Sequence, residues 1–229
     1  ESRGTYGSPR VHQVLRRKGH CVGKHRVARL MRAQGIKARV ATIRYTSPGM
    51  QRHYASIPNG QLDIKLKTPD QVWVGDITYL KVGGIYRYLA VVMDKYSRRV
   101  VGWSLAEQMT ETLVLDALAH AIRDRQPAPG LVHHSDRGGQ YASQAYRAVL
   151  RRAEFRQSMS RAANCYDNAF MESCFGTIKT ELEMTEYQNS RRARQDIASY
   201  LAYYNHDRRH SSLNYLTPAA FEAQLNASF

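Results

Sequence analysis

The segment 71–105 constrains the fold most, because three strand patterns follow one another in it with only short turns between them. QVWVGDITYLKV at 71–82 is rich in β-branched and aromatic residues, and the Gly83-Gly84 pair after it is typical of a hairpin turn. YRYLAVVMDKYSRRVVGWSL then supplies two more strands with a bend near Asp94–Ser97. These patterns predict three consecutive antiparallel strands.

Helices and strands alternate after this point. The predicted elements are an amphipathic helix ETLVLDALAHAIRD, a buried strand GLVHHSD, a helix QAYRAVLRRA capped by Ser143, a strand FRQSMS, a helix DNAFMESCFGTIKTELE, and a final long helix beginning at Ser190. Antiparallel strands followed by alternating helix and strand predict an α/β fold with a mixed five-stranded sheet flanked by helices.

The positive charge is concentrated near the N-terminus. Residues 1–54 contain thirteen Lys and Arg against one acid, whereas 55–229 contain twenty-one against eighteen. Such an imbalance indicates contact with a polyanion, most simply DNA or RNA. No run approaches the roughly 18 apolar residues of a membrane span, so we expect no membrane partner and a cytoplasmic bacterial protein that is associated with the nucleoid when it binds DNA.

Two short helical patterns make up the basic region. SPRVHQVLRRKG has Ser8 as a candidate N-cap and Pro9 at the first helical position, and GKHRVARLMRAQG follows, with Val27, Leu30 and Met31 expected to face inward. A small all-helical, helix-turn-helix-like domain is predicted; a plain helical hairpin with solvated arginines is the alternative. The expected DNA contacts are Arg10, Arg16, Arg17, Lys24, Arg26, Arg29 and Arg32.

Loss of periodicity sets the predicted domain boundaries. They are a basic helical region 1–37, a linker 38–68, an α/β core 69–188 and a C-terminal helical extension 189–229.

Three acids stand out in this basic chain. Asp76 lies inside the first core strand, Asp136 follows a strand at its carboxyl end, and Glu172 lies on a predicted helix. Carboxylates that converge repel one another and need a cation, and oxygen ligands without a Cys or His cluster suit Mg²⁺ or Mn²⁺. Two such ions about 3.5–4 Å apart can clamp the attacking and leaving oxygens of a phosphoryl transfer. The alternative for any single acid is a surface carboxylate.

Helical spacing places a polar stripe around the third acid. Asn168, Glu172 and Lys179 share one face, so an amide and a cation would flank the carboxylate, although an i,i+7 coincidence on a surface helix is an equal alternative. His133 and His134 adjoin Asp136; we interpret them as packing and hydrogen-bonding residues rather than metal ligands, with a DNA contact as the alternative.

Several motifs together carry a family resemblance. WVGDITYL, YLAVVMDKYSRRVVGWSL, HHSDRGGQY, DNAFMESCFGTIK and YNHDRRHSSLNYLTPAAF resemble the second-frame product of bacterial transposases of the "insertion sequence three" family, over about residues 5–225. The resemblance implies an RNase H-like core of the retroviral integrase type. It also implies a metal-binding catalytic triad of Asp76, Asp136 and Glu172, with two Mg²⁺ or Mn²⁺ ions. DNA contacts are then expected from Lys179, Asn168, Arg137, Gln140, Tyr141, Arg208 and His210.

The implied activity is metal-dependent cleavage at the ends of an insertion element. The exposed 3′-hydroxyl then attacks another phosphodiester, by a copy-out, paste-in route through a circular intermediate. Implied partners are the terminal inverted repeats, target DNA, at least one more copy of the chain on DNA, and the upstream-frame product of the element. Two departures are Cys174, where an aromatic is usual, and Asn214, where glycine is common in a turn.

Other functions remain as alternatives. A non-catalytic DNA-binding protein could keep the fold, but the three acids are intact. A retroviral-type integrase expects a His/Cys zinc pattern before the core, where only Cys21 lies. A simple RNase H or resolvase would not need the basic region or the YNHDRRHSSL motif.

Overall fold

A computed structural model describes residues 4–38, 57–61, 64–160, 176–182 and 187–226. The two N-terminal helices are α1 (Ser8–Arg17) and α2 (Lys24–Ala33). Gly7, not Ser8, is the N-cap of α1, and proline occupies the start of the helix as predicted. Val27 is buried, but Leu30 is 47% exposed, which corrects the prediction that both face inward.

The five predicted strands form one mixed sheet. They are β1 (Val72–Val82), β2 (Ile85–Asp94), β3 (Val100–Ala106), β4 (Val132–Ser135) and β5 (Arg156–Met159), in the order β3-β2-β1-β4-β5. β1, β2 and β3 are antiparallel, whereas β4 and β5 join parallel to β1 and to each other. Gly83 and Gly84 both have positive φ angles, 57° and 79°, which the tight β1–β2 turn requires.

Helices cover both faces of this sheet. They are α3 (Glu111–Arg125), α4 (Gln144–Arg152), the helical residues 176–182 (α5), α6 (Ser190–His206) and α7 (Pro218–Asn226). One buried cluster joins the sheet to α3 and α4, and a second joins it to α5 and α6. Ser143 caps α4 as predicted, its side chain accepting a hydrogen bond from the Tyr146 amide.

The C-terminal region contains more structure than one long helix. α6 begins at Ser190 as predicted, with Asn189 as its N-cap, but a 3₁₀ turn (Ser211–Leu213) and α7 follow it. Asn214 has φ 52° and ψ 37°, so it takes the left-handed conformation that glycine would favour in this turn. The Arg125 guanidinium joins α7 to the core, with contacts to Glu222 at 2.9 Å and Asp70 at 2.6 Å.

Part of the predicted linker lies against the core. The Gly60 amide donates to Ser158 Oγ at 2.9 Å, the Met159 amide to the Pro58 carbonyl at 3.3 Å, and Lys95 Nζ to Gln61 Oε1 at 2.9 Å. Residues 57–61 are therefore held on β5 and the β2–β3 turn, not suspended between domains.

The N-terminal segment contacts the segment that follows α6. The Tyr6 hydroxyl donates to the Asp207 carbonyl at 3.4 Å and accepts from the Arg209 amide at 2.7 Å. The apolar face of α1, including Val14 and Leu15, lines a cleft of about 690 Å³ against the segment after α6. Among the described residues, no helix is both long enough and apolar enough to cross a membrane.

Candidate active site

Two of the three predicted acids lie side by side. β4 runs parallel to β1, with Gly75 paired to Ser135, so Asp76 and Asp136 directly follow paired residues on neighbouring strands. Neighbouring strands are about 4.8 Å apart, which brings two carboxylates from positions sixty residues apart in the chain to one edge. The fold therefore brings Asp76 and Asp136 together as the strand pattern predicts.

The surroundings of the two carboxylates disfavour their charged forms. Burial and the neighbouring charge of Asp136 raise the pKa of Asp76 to about 7, against the opposing effects of the Ile77 amide and Lys179. Burial also raises the pKa of Asp136, and the Gly138 amide opposes this by donating to Oδ1 at 2.9 Å. A bound cation would reverse both effects, because it favours the charged form of each carboxylate.

A cleft of about 410 Å³ opens over these acids. Its walls are the loop after Asp136 and the start of α3, and Glu111 adds another carboxylate to its rim. Gln140 Nε2 donates to the Met109 carbonyl at 3.0 Å and so joins the two walls. A Cβ at Gly138 would lie 3.0 Å from Asp136 Oδ1, so a larger residue here would press against this carboxylate.

Buried aromatic rings form the floor beneath the site. His133 Nε2 lies 3.1 Å from the Tyr146 hydroxyl, and Tyr141 packs edge-on against Tyr146 with ring centroids 5.4 Å apart. A Cβ at Gly75 would lie 3.1 Å from the His133 ring, so a larger residue directly beside Asp76 would require this ring to shift. Burial lowers the pKa of His133 to about 3, which keeps the ring neutral.

The histidine pair has the structural role that we favoured. His134 is fully buried and contacts Ser158 Oγ at 2.8 Å through Nδ1 and Ser160 Oγ at 3.2 Å through Nε2. Both histidines therefore pack and form hydrogen bonds inside the sheet, which leaves no exposed ring for DNA.

Lys179 on α5 reaches the acid edge. Its Nζ lies 4.1 Å from the centroid of the Tyr79 ring, and its charge opposes the rise in the pKa of Asp76. Asn168 and Glu172 lie outside the described residues. Of the predicted polar stripe, the structure therefore describes Lys179 only.

The basic residues of the N-terminal helices are accessible. Six of the seven predicted contacts are exposed, namely Arg16, Arg17, Lys24, Arg26, Arg29 and Arg32. Arg10 is half-buried, with its guanidinium carbon 5.7 Å from the centroid of the Tyr6 ring.

Three other predicted DNA contacts are buried, which corrects the prediction. Arg208 is 2% exposed and holds Glu181 at 2.7 Å, His210 is 7% exposed beside Tyr204, and Tyr141 is 2% exposed in the floor of the site. A polar group that is buried inside the protein does not present itself to a phosphate on the surface. Arg137 is half-buried and its Nε donates to the Ser160 carbonyl at 2.7 Å, while Gln140 stays at the cleft.

Reasoning from the sequence missed three residues around the site. Glu111 appeared only as the start of a helix, Tyr79 only as a strand residue, and Glu181 only as part of a helical pattern. No local signal identified Tyr79, because residues three apart in a strand face opposite sides and its contact with Lys179 is long-range.

Comparisons with known proteins agree with this geometry. The integrase core domain family matches residues 67–165 and, in a second form, residues 153–218, and an HTH-like domain matches residues 1–44. A transposase for insertion sequence element IS904 from Lactococcus lactis subsp. lactis (strain IL1403) is 39% identical over 225 residues, covering 97% of this chain and 89% of the relative. The chain belongs to the "insertion sequence three" family of transposases.

A second relative supports this assignment, and two solved structures share the fold of the core. Transposase InsF for insertion sequence IS3A from Escherichia coli (strain K12) is 39% identical, over 96% of this chain and 78% of that protein. The HTLV-2 integrase catalytic core, solved with magnesium, has a TM-score of 0.55 at 19% identity, covering 68% of this transposase and 97% of that chain. The BIV integrase core has a TM-score of 0.54 at 14% identity, covering 69% and 97%.

These likenesses confirm two predictions. The core of the transposase has the RNase H-like, integrase-type fold, and α1 and α2 form the helix-turn-helix-like unit rather than a plain hairpin. The protein is an enzyme of a family that cleaves DNA and transfers strands.

Proposed function

We propose that this transposase cleaves DNA at the ends of its insertion element and transfers the exposed 3′-hydroxyl strand to another phosphodiester. Asp76, Asp136 and Glu172 would hold two Mg²⁺ or Mn²⁺ ions. The main support is that Asp76 and Asp136 directly follow paired residues of β1 and β4, under a cleft, in surroundings that disfavour their charge.

The donor set fits a hard divalent cation. Both assembled side chains offer carboxylate oxygens, the ligands that Mg²⁺ and Mn²⁺ prefer, and His133 and His134 beside them are engaged within the protein. When bound, two ions supply stabilisation of the attacking and leaving oxygens. Within the described parts of the chain no three His, Cys, Asp or Glu side chains group together, and Glu172, the proposed third ligand, lies outside them.

The residues of the chain orient the reaction. The Ile77 amide holds Asp76 Oδ1 at 2.8 Å and the Gly138 amide holds Asp136 Oδ1 at 2.9 Å, which fixes one oxygen of each carboxylate. Lys179 brings a positive charge to the acid edge. We propose that it contacts the scissile phosphate and that Asn168, Arg137 and Gln140 contact the DNA beside it. The exposed basic side chains of α1 and α2 would bind phosphates further along the duplex.

We further propose the partners and the route. The substrates would be the terminal inverted repeats and target DNA, and two ends brought together require at least two copies of the chain on DNA. One structural neighbour, the HTLV-2 integrase core, is described in dimeric and trimeric forms. The upstream-frame product of the element would be a further partner. The copy-out, paste-in route predicts a circular form of the element, which is detectable by amplification across its joined ends.

The experiment that tests this function is nicking and joining of a supercoiled plasmid in Mn²⁺. We expect nicking by the parent and none by Asp136→Ala. Asp116→Ala is the matched control, because Asp116 is an exposed aspartate on α3 and not among the residues that line the cleft. Equal nicking by the parent and Asp136→Ala would overturn the assignment of the acids. Silence from all three proteins with DNA binding retained would favour the non-catalytic alternative.

A further inference from the structure

The β1–β2 hairpin carries an aromatic pair next to the acids. β4 pairs with β1 only as far as Gly75, so the outer part of the hairpin extends past the end of β4. There the Tyr79 and Tyr86 rings meet edge-to-face, with centroids 5.2 Å apart and planes at 88°. Tyr86 is 50% exposed, so part of its ring is open to a ligand.

Two lysines contact these rings. Lys81 Nζ lies 5.6 Å from the centroid of the Tyr86 ring, and Lys179 Nζ lies 4.1 Å from that of Tyr79. The register pairs Lys81 with Tyr86, so Tyr79, Lys81 and Tyr86 share one face of the hairpin. We call Tyr79, Lys81, Tyr86 and Lys179 the hairpin strip.

The hairpin strip begins at the active site. Lys179 acts electrostatically on Asp76 and contacts the Tyr79 ring, so this one side chain connects the acid edge to the first aromatic of the strip. From there the rings and Lys81 lead outward along the hairpin, away from the cleft.

We propose that the hairpin strip binds unpaired DNA bases next to the phosphodiester that is cut, with bases stacking on Tyr86 and Tyr79 and the lysines holding the flanking phosphates. This rests on the proposed function, because it takes DNA as the substrate of the neighbouring acids. Alternating aromatic rings and cations are what sites for single-stranded nucleic acid use, since every base has a face that can stack.

The charge favours DNA over a protein partner. Both cations lie on the rings themselves, so an apolar protein surface would have to bury two ammonium groups against it, whereas a nucleic acid strand brings a phosphate with every base. On the opposite face of the hairpin, the Arg87 guanidinium is paired with the Glu107 carboxylate at 2.9 Å, so its charge is already compensated within the chain.

The test compares binding of a blunt duplex with binding of the same duplex carrying a short unpaired 3′ tail labelled with 2-aminopurine, in EDTA so that no cleavage occurs. The parent should bind the tailed duplex about 10-fold more tightly, the order of magnitude of one stacked base, and should quench the fluorophore. Tyr86→Ala should lose both effects, and Tyr86→Phe should keep them because the ring remains.

Ile85→Ala is the matched control. Ile85 is 60% exposed at the same hairpin end but lies on the opposite face, so its truncation should leave the tail preference unchanged. A preserved preference in Tyr86→Ala, or no preference in the parent, would overturn the proposal. A change in the sedimentation of free Tyr86→Ala without loss of tail preference would also overturn it, and would identify the strip as a contact between copies.

Nicking in Mn²⁺ separates this proposal from the function on which it rests. A parent that prefers the tailed duplex but never nicks DNA would contradict the catalytic assignment and leave the strip standing. A parent that nicks DNA without any tail preference would contradict the strip alone.

Discussion

Two groups of carboxylates in this fold have their charges compensated in opposite ways. At the acid edge, Asp76 lies on β1 and Asp136 directly follows β4, and the charge of Asp136 adds to the rise in the pKa of Asp76. Below α6, Glu181 accepts three hydrogen bonds from the Arg208 guanidinium, at 2.7, 3.0 and 3.0 Å, and one from the Tyr200 hydroxyl at 3.0 Å.

The difference separates stability from function. The Glu181–Arg208 pair is complete within the chain and joins α5, which carries Lys179, to the segment after α6. The acid edge remains unbalanced without a cation, since burying like charges together costs free energy. The Glu181–Arg208 pair therefore stabilises the fold, whereas the acid edge has an unfavourable negative charge that a bound cation would neutralise.

The largest expected effect comes from neutralising one acid of the edge. Asp76→Asn should reduce Mn²⁺-dependent nicking at least about 1000-fold, because stabilisation of several kcal/mol by the bound cations is lost. The free energy of unfolding should stay equal or rise, because the repulsion from Asp136 disappears. Single-turnover nicking measures the activity, and urea unfolding measures the free energy of unfolding. Full activity with lower stability would show that Asp76 stabilises the fold and does not act in the reaction.

Breaking the Glu181–Arg208 pair should lower stability. Arg208→Met leaves Glu181 buried and unpaired, and should lower the free energy of unfolding by about 3–5 kcal/mol. Urea unfolding measures this, with Arg151→Met as the control because Arg151 is exposed on α4. Adding Glu181→Gln to Arg208→Met should recover part of the loss. If Arg208→Met costs no more than Arg151→Met, the pair is not the structural anchor we describe.

Added metal should act only on the acid edge. Mg²⁺ at a hundred times its Kd should stabilise the parent by about 2.7 kcal/mol, the amount that mass action gives for a ligand of the folded state. Thermal unfolding with and without Mg²⁺ checks this. Asp76→Asn should show little shift, whereas Arg208→Met, although less stable, should keep the parent's shift; equal shifts in parent and Asp76→Asn would contradict a metal at Asp76.

The smallest expected effect is a change in the pH dependence of stability caused by His210, whose charged form the fold disfavours as it does that of Asp76. Burial, together with the charges of Arg208, Arg10 and Arg98, lowers its pKa to about 3 from an ordinary value of 6.5. Between pH 6.5 and about 3, the His210 ring is therefore protonated in the unfolded chain but neutral in the folded protein. Its contribution to stability is complete above pH 6.5 and is lost as the pH falls toward 3, by up to about 1.4 kcal/mol per pH unit.

Urea unfolding at pH 7, 6 and 5 tests this loss. His210→Gln should lose less stability than the parent between these pH values. His206→Gln should follow the parent, because His206 is exposed in the last turn of α6. Identical slopes for the parent and His210→Gln would show that His210 gains its proton in the folded protein as easily as in the unfolded chain.

Local signals explain what could be predicted from the sequence. The bounds of β1, the Gly83-Gly84 turn and the cap at Ser143 depend on residues within a few positions of each other, and the structure matches them. The meeting of Asp76 with Asp136 was predictable because parallel strands align their ends, and the family motifs pointed to the same residues.

Long-range partners explain what was missed. Arg208 and His210 look like the exposed basic residues of a DNA-binding motif, and only the distant Glu181 and the burial of Tyr204 show that they face inward. Residues 57–61 lack periodicity, yet their partners lie on β5, nearly a hundred positions away. No local pattern contains such information, and the same holds for α7, whose place depends on Arg125.

The contact between the N-terminal segment and the segment after α6 has a consequence during synthesis. α1 ends at Arg17, and the opposite wall of the cleft that its apolar face lines is complete only at Asp207 and Arg209, about 190 residues later. At roughly 5–20 residues per second, the ribosome needs about 10–40 s to produce that stretch. For this time the basic helices of a nascent chain lack their final neighbour, so the binding to DNA that we propose for them does not have to wait for the rest of the chain.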